Sequence, residues 1–272
     1  MTGVLSKLHL SKSGYYNYLH RKPSKQSISK KERMQAIQTI YDDNHQIYGA
    51  PKIAKEMQKK GEKISQRTVG VYMREMGIKA CYIKPYVKTT FDSDFSTKLH
   101  NILKRDFSPS KPNEAWCTDI TYIFTLEGFV YLTSVMDLYS RKIIAWTLSK
   151  TLEVEEVLKC IEMARKRRKT ANSAIIHSDR GVHYTSKLYK KLTAGLILSY
   201  SKKGTPWDNA CIESFHSVIK REWLNRTLIY DYDHAYDLCF EYIETFYNTI
   251  RIHSHCGYES PNQYENNYYS KH

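Results

Sequence analysis

The stretch Trp116-Cys117-Thr118-Asp119-Ile120-Thr121-Tyr122-Ile123-Phe124-Thr125 alternates in hydropathy and is rich in Thr, Ile and Tyr, which reads as a strand. Gly128 marks a turn after it, and Phe129–Asp137 follows as a nearly all-apolar run, the pattern of a strand covered on both faces. An acid in the middle of the first strand needs an explanation, because a buried carboxylate is costly without a partner or a metal. Toward the C-terminus, Lys142–Ser149 reads as a third strand. Val154, Val157, Leu158, Ile161 and Ala164 then recur at helical spacing and end in the basic run Arg165–Lys169. Ala174–His177 is a fourth strand, a helix lies near Ser186–Leu192, and Leu196–Ser199 is a fifth strand. A Gly/Pro loop, Lys202–Asp208, precedes a helix over Asn209–Arg226, and a last helix covers Ala235–Asn248. The order β-β-β-α-β-α-β-α predicts an α/β unit over 113–272, a mixed sheet flanked by helices.

Toward the N-terminus the period is lost over 85–112, where Pro85, Pro109 and Pro112 mark a linker with a short helix at Leu99–Leu103. Residues 1–84 predict a small all-α arm. Met34, Ile37, Ile40 and Tyr41 recur at helical spacing, as do Ile53, Ala54 and Met57. Ser65 caps a helix through Val69, Tyr72 and Met76 that Gly77 stops, and Leu10–Tyr16 reads as the end of an earlier helix. Short helices, tight turns at Tyr48–Pro51 and Lys60-Gly61, and basicity together suggest a helix-turn-helix-like module.

The 272 residues carry 42 Lys+Arg against 28 Asp+Glu, a net charge of +14. Residues 1–90 hold 18 of those bases and 6 of the acids, while residues 91–272 hold 24 and 22. The excess therefore sits in the first third, as expected of a polyanion-binding arm on a nearly neutral body. A hydrophobic content of 41% supports a buried core and excludes intrinsic disorder as the main state. There is no run of 18 apolar residues to span a membrane, and Met1–Lys7 has no apolar signal core. The six cysteines, scattered with no C-x-x-C pair, read as reduced thiols of a cytoplasmic protein.

Three acids gather where α/β sheets place their sites, at strand ends and helix starts. Asp119 is mid-strand, Asp179 ends the fourth strand, and Glu213 lies in the first turns of the helix after the Lys202–Asp208 loop. Converging carboxylates suit Mg²⁺ or Mn²⁺, and two such ions about 4 Å apart activate an attacking hydroxyl and stabilise a leaving 3′ oxygen. Each acid taken singly also fits a cap or an ion pair, and Asp137, on its own apolar strand, is read as structural.

As a set these residues resemble the integrase core of DDE transposases and retroviral integrases, and more closely the second-reading-frame product of two-frame bacterial insertion sequences. The resemblance rests on W-C-T-D-I-T-Y from Trp116, Y-L-T-S-V-M-D-L-Y-S-R from Tyr131 and H-S-D-R-G-V-H-Y-T-S from His177. It continues through S-K-K-G-T-P-W-D-N-A-C-I-E-S-F-H from Ser201, K-R-E from Lys220, Y-N-T-I-R-I-H from Tyr247 and G-Y-E-S-P from Gly257. The arm matches too, through I-Y-G-A-P-K-I at Ile47 and M-R-E-M-G-I at Met73.

The resemblance implies a ribonuclease H-like fold and a catalytic triad of Asp119, Asp179 and Glu213 holding two Mg²⁺ ions, with Mn²⁺ able to substitute. It implies metal-dependent DNA strand cleavage and strand transfer of an insertion sequence, in a bacterial, nucleoid-associated protein. Partners would be the element ends and target DNA, further copies of the chain on DNA, and an upstream-frame helix-turn-helix protein or fusion. Lys220, seven positions after Glu213 and so on the same helix face, is the first candidate for DNA contact. Lys202, Lys203, Arg180, His183, Trp207 and Arg221 are further ones. His253, His255 and Cys256 lack a second ligand pair at zinc spacing. Two departures stand out: the Asp179–Glu213 gap of 34 positions is about two short of most relatives, and Cys256 replaces an aliphatic residue. The rival readings are a catalytically idle DNA-binding regulator from a partial element and a ribonuclease H-like nuclease that cuts without joining.

Overall fold

The computed structural model describes residue 7 and residues 11–81, 99–169, 173–202 and 204–271. The chain divides into two compact units, Met1–Ala80 and Cys81–His272.

The first unit is helical: α1 (Lys12–Leu19), α2 (Lys25–Asp43), α3 (Ala50–Lys59) and α4 (Gln66–Glu75). Ser11, Ser24 and Ser65 each cap a helix, accepting the backbone N–H of Gly14, Ser27 and Thr68. Pro51 opens α3, where a missing N–H costs nothing. α4 stops at Gly77, whose φ of +71° lets Ile78 N–H reach back to the Met73 carbonyl at 2.8 Å. Helices α2, α3 and α4 pack on one another through Ile37, Ile40, Ile53, Met57, Val69 and Met73, the helix-turn-helix-like arm that the sequence predicts. The segment read as a helix end instead begins a helix, because Ser11 caps it.

The second unit is built on a five-stranded sheet of order β3-β2-β1-β4-β5. Its strands are β1 (Ala115–Thr125), β2 (Gly128–Asp137), β3 (Ile143–Ser149), β4 (Ile175–Ser178) and β5 (Ile197–Tyr200). β1, β2 and β3 form an antiparallel meander, and β4 and β5 add in parallel on the other side of β1. This is the ribonuclease H-like mixed sheet expected. β4 pairs only with Ala115–Cys117, so beyond Thr118 that edge of β1 has no strand partner among the described residues. Helix α5 (Val154–Arg168) packs on β2 and β3, its Val157, Ile161 and Ala164 closing a core with Trp116, Val135 and Ile176. Short helices α6 (Val182–Thr185) and α7 (Lys187–Leu192) follow β4, and α8 (Ala210–Glu222) lies on β1 and β2. The chain ends in α9 (Tyr232–Phe240), a π-helical stretch over Glu241–Tyr247, and α10 (Pro261–Tyr269).

Four local expectations change. No helix forms at Leu99–Leu103: the N–H groups of Ile102 and Leu103 donate instead to Ser199 Oγ, and His100 C=O accepts from Tyr200 N–H, laying the chain along β5. The other part of the expected linker, residues 85–98, lies outside the described residues. The helix expected to reach Arg226 ends at Glu222, where Trp223 turns to φ −134° before a short 3₁₀ turn over Leu224–Arg226. The helix expected over Ala235–Asn248 starts at Tyr232, capped by Asp231, and widens into the π-helical stretch. Helix α10 was not expected, since P-N-Q-Y-E-N-N-Y-Y has no apolar period; Ser260 caps it and Glu265 anchors it from within. Among the described residues no helix is long and apolar enough to cross a membrane.

Candidate active site

Strand register sets two of the three acids side by side. Cys117 pairs with His177 in the parallel β1–β4 ladder, so Asp119 and Asp179 stand level, two residues further on, where the strands part. Tyr184 lies beneath them. Its hydroxyl is pushed well above the ordinary value by burial first, then by the charges of Asp119 and Asp179. Gly181 N–H donates to Asp179 Oδ1 at 2.9 Å, which fixes that carboxylate at the end of β4. His177, one residue before the turn, is buried and held low, at about 4, by that burial; its ring bridges Ser199 and Ser201 and so ties β4 to β5.

Glu213 comes from α8, which crosses the face of β1 that carries Asp119. Its carboxyl is raised to about 7, by partial burial first and then by the charges of Asp119 and Asp179. The three acids therefore share one electrostatic environment, in which Asp179 and Glu213 remain open to solvent. Among the described residues no three His, Cys, Asp or Glu side chains form a finished metal cage. The donor set nevertheless fits a hard divalent cation: all-oxygen, acidic and solvent-facing.

Residues not singled out from the sequence complete the surroundings. His216 Nδ1 lies 3.4 Å from Asp119 Oδ2, and its Nε2 is 3.4 Å from Ser134 Oγ on the paired strand. Its position three residues after Glu213, on the same helix face, was the available signal. Asn209 donates to the Thr118 carbonyl at 3.2 Å, tying the start of α8 to β1, and its Oδ1 is buried with no partner. Asp208 anchors the preceding loop. Burial alone would raise its carboxyl, but Lys202 N–H and Arg105 prevail and lower it, with Asn101 also donating.

The far end of α8 gives a role to two motif residues that had none, Glu222 and Arg251. Glu222 of K-R-E and Arg251 of Y-N-T-I-R-I-H are both buried and form a two-pronged ion pair, Nε to Oε2 and Nη2 to Oε1, each at 2.7 Å. Tyr242 O–H donates to the same carboxylate at 2.7 Å. Asn248 pairs with both backbone groups of Ile143 at 3.0 Å, joining this segment to the start of β3.

The expected DNA contacts divide. Lys220 Nζ sits 4.2 Å from the Tyr122 ring centroid; burial lowers its ammonium, and Asp119 acts in the opposite direction. Lys202 and Trp207 are exposed on the loop before α8, with Arg105 over the Trp207 ring. Arg180 is committed to the Ser201 and Leu99 carbonyls, and His183 Nε2 lies 3.0 Å from the Leu152 carbonyl. Arg221 is half-buried beside Glu222. Lys203 lies outside the described residues.

An integrase core domain family model matches residues 109–206, a second integrase core domain model matches 194–261, and an HTH-like domain model matches 29–86. The transposase for insertion sequence element IS904 of Lactococcus lactis subsp. lactis is 34% identical over 249 residues, covering 91% of this chain and 98% of that protein. Transposase InsF for insertion sequence IS3A of Escherichia coli K12 is 33% identical over 266 residues, covering 95% of this chain and 91% of that one. Among solved structures, the HTLV-2 integrase catalytic core domain in complex with magnesium (dimeric form) superposes with a TM-score of 0.44 at 16% identity, covering 57% of this chain and 98% of that chain. The chain belongs to the insertion-sequence transposases.

Proposed function

We propose that this transposase cuts and joins DNA itself, with Asp119, Asp179 and Glu213 as its catalytic acids and Mg²⁺ or Mn²⁺ as cofactor. The observation that carries this reading is the Glu213 carboxyl held at about 7 with the charges of Asp119 and Asp179 upon it. Two divalent ions held by these acids would supply Lewis-acid stabilisation of the attacking and leaving oxygens.

The reaction has two in-line displacements at phosphorus. A water attacks the phosphodiester at the element's end and the 3′ oxygen leaves as a free hydroxyl. That hydroxyl then attacks a target phosphodiester, whose own 3′ oxygen departs. The chain's residues orient the parts: His216 steadies Asp119, Gly181 N–H steadies Asp179, and the Glu222–Arg251 pair holds the helix bearing Glu213. Lys220, Lys202, Lys203, Trp207 and Arg221 contribute to DNA contact, and the basic helical arm adds salt-dependent affinity. Arg180 and His183 hold the loop around Asp179 through backbone carbonyls. Bringing two ends together requires at least two copies of the chain.

The deciding experiment is Mg²⁺-dependent joining of a labelled, pre-cut element end to plasmid by the chain and by its Glu213→Gln variant. Joined product that vanishes in the variant is the expected result. Nicking without joining, equally lost in the variant, replaces the reading with that of a nuclease. Binding without any product, even when the upstream-frame protein is added, replaces it with that of an idle regulator.

A further inference from the structure

The hairpin of β1 and β2 extends beyond the helix layer that covers the rest of the sheet. Trp116 and Ile120 lie on the α5 face of β1, and by the two-residue alternation of a strand Tyr122 and Phe124 lie on the same face. Phe129 is the cross-strand partner of Phe124 and shares that face. Because α5 packs on β2 and β3, these rings are left bare: Tyr122 is 60% exposed, Phe124 62% and Phe129 52%. They touch one another edge to face, with centroids 5.5 Å apart for Tyr122–Phe129 and 5.6 Å for Phe124–Phe129. A contiguous aromatic surface of this kind marks a binding site rather than scatter.

Its occupant is indicated by what borders it. Beyond Thr118 that edge of β1 has no strand partner among the described residues, and Lys220 reaches across it from α8, on the opposite face, to set its ammonium 4.2 Å from the Tyr122 ring centroid. The same ammonium lies within the electrostatic range of Asp119. A cation for a phosphate therefore sits between a candidate catalytic acid and the first of three exposed rings. Tyr122 is three residues along the strand from Asp119, about 10 Å at the strand rise. A cation beside aromatic faces is the composition of a single-strand track, with rings for the bases and a base-independent grip on the backbone.

We propose that Tyr122, Phe124 and Phe129, with Lys220 at their inner end, form a stacking platform for unpaired bases of the DNA strand that passes Asp119. The proposal rests on the catalytic reading above for its strand and adds residues to it. Ring faces accept any base, so the platform tolerates all sequences and selects unpaired over paired nucleotides. Its work is to hold an opened end beside the acids.

The test reads binding without divalent metal, so cutting plays no part. A fluorescein-labelled oligothymidine strand and a duplex of equal length are titrated with the full chain. The Phe124→Leu/Phe129→Leu variant keeps apolar bulk and loses the rings. The Phe124→Tyr/Phe129→Tyr variant keeps them. The leucine pair is expected to weaken single-strand binding by at least about tenfold and duplex binding by less than about twofold, with the tyrosine pair near wild type. Equal loss on both DNAs, or no loss, overturns the platform. So does a leucine pair that binds single strands normally but changes the sedimenting oligomer, which would make this face a contact between copies. Should the leucine pair not fold, a wild-type measurement decides: 2-aminopurine placed in the strand is quenched on binding if it stacks, and unquenched fluorescence rejects the proposal. Ring-dependent binding by a chain that never joins DNA rejects the catalytic reading alone.

Discussion

Asp137 and Glu213 are both carboxylic acids held above the ordinary carboxylate range, at about 6 and about 7. Burial is the largest cause in each, and the next causes have opposite signs. At the end of β2, Arg168 and the N–H groups of Asn113 and Tyr139 all act to return the Asp137 carboxyl to its charged form. Arg168 also forms a two-pronged pair with Glu265, at 2.6 and 2.8 Å, whose carboxyl is lowered against its burial. At the start of α8 the neighbours of Glu213 are Asp119 and Asp179, which add to the burial effect. A raised carboxyl therefore does not by itself mark a site; the sign of its neighbours separates an acid that anchors a loop from one that adjoining acids drive toward protonation.

The largest effect that can break this comparison is on turnover. Asp137→Asn is expected to lose stability, because its amide can accept from only one of the Asn113 and Tyr139 N–H groups, yet to retain joining activity in the folded chain, while Glu213→Gln abolishes it. Loss of joining in Asp137→Asn with an unchanged melting transition would place that acid in the site instead. Next in size is the arginine-held region. Arg251→Ala takes from buried Glu222 its two-pronged partner, leaving Arg221 at 3.9 Å, and is expected to cost about 3–5 kcal/mol in denaturant unfolding. The double variant Glu222→Leu/Arg251→Leu should cost less than Arg251→Ala alone, since it strands no charge. An Arg251→Ala chain as stable as wild type would remove the clamp from the account of how α8 is held.

The smallest effect is the one that sharpens the contrast most. Both raised carboxyls bind protons more tightly in the folded chain than in the unfolded one. Their contribution to stability is therefore complete below the unfolded values and is lost as pH rises through the folded ones. Asp137 acts between its ordinary value of 3.8 and about 6, and Glu213 between 4.5 and about 7. Wild-type stability should fall across both windows in metal-free buffer, and Glu213→Gln should flatten the upper part. Saturating Mg²⁺ should flatten it in wild type also, because the cation takes the place of the proton. Urea midpoints measured at half-unit pH steps check this, and identical wild-type and Glu213→Gln profiles would detach Glu213 from the other two acids.

Much of this was legible in one dimension. Alternation and apolar runs placed all five strands to within a residue or two, because a pleat imposes its period on any strand that packs. Ser65 and Gly77 gave the bounds of α4, since caps satisfy local backbone groups and require no distant partner. The helix not foreseen, α10, is held by a long-range contact instead, Glu265 to Arg168, almost a hundred positions away. The helix wrongly expected at Leu99–Leu103 lost its donors to Ser199, equally distant.

The same division runs through the site. The sequence by itself determined that Asp119 is mid-strand, that Asp179 follows a strand and that Glu213 begins a helix, that the arm is basic and helical, and the family. Its chemistry is carried by residue type and local period, which a linear chain displays. Only the tertiary structure decided that Asp119 and Asp179 stand level, that His216 joins them, that Arg180 is committed to carbonyls, and that Lys220 crosses an open sheet edge to an aromatic face. Those facts depend on strand register and on which helix covers which face, and no segment of the chain encodes its partner's position alone.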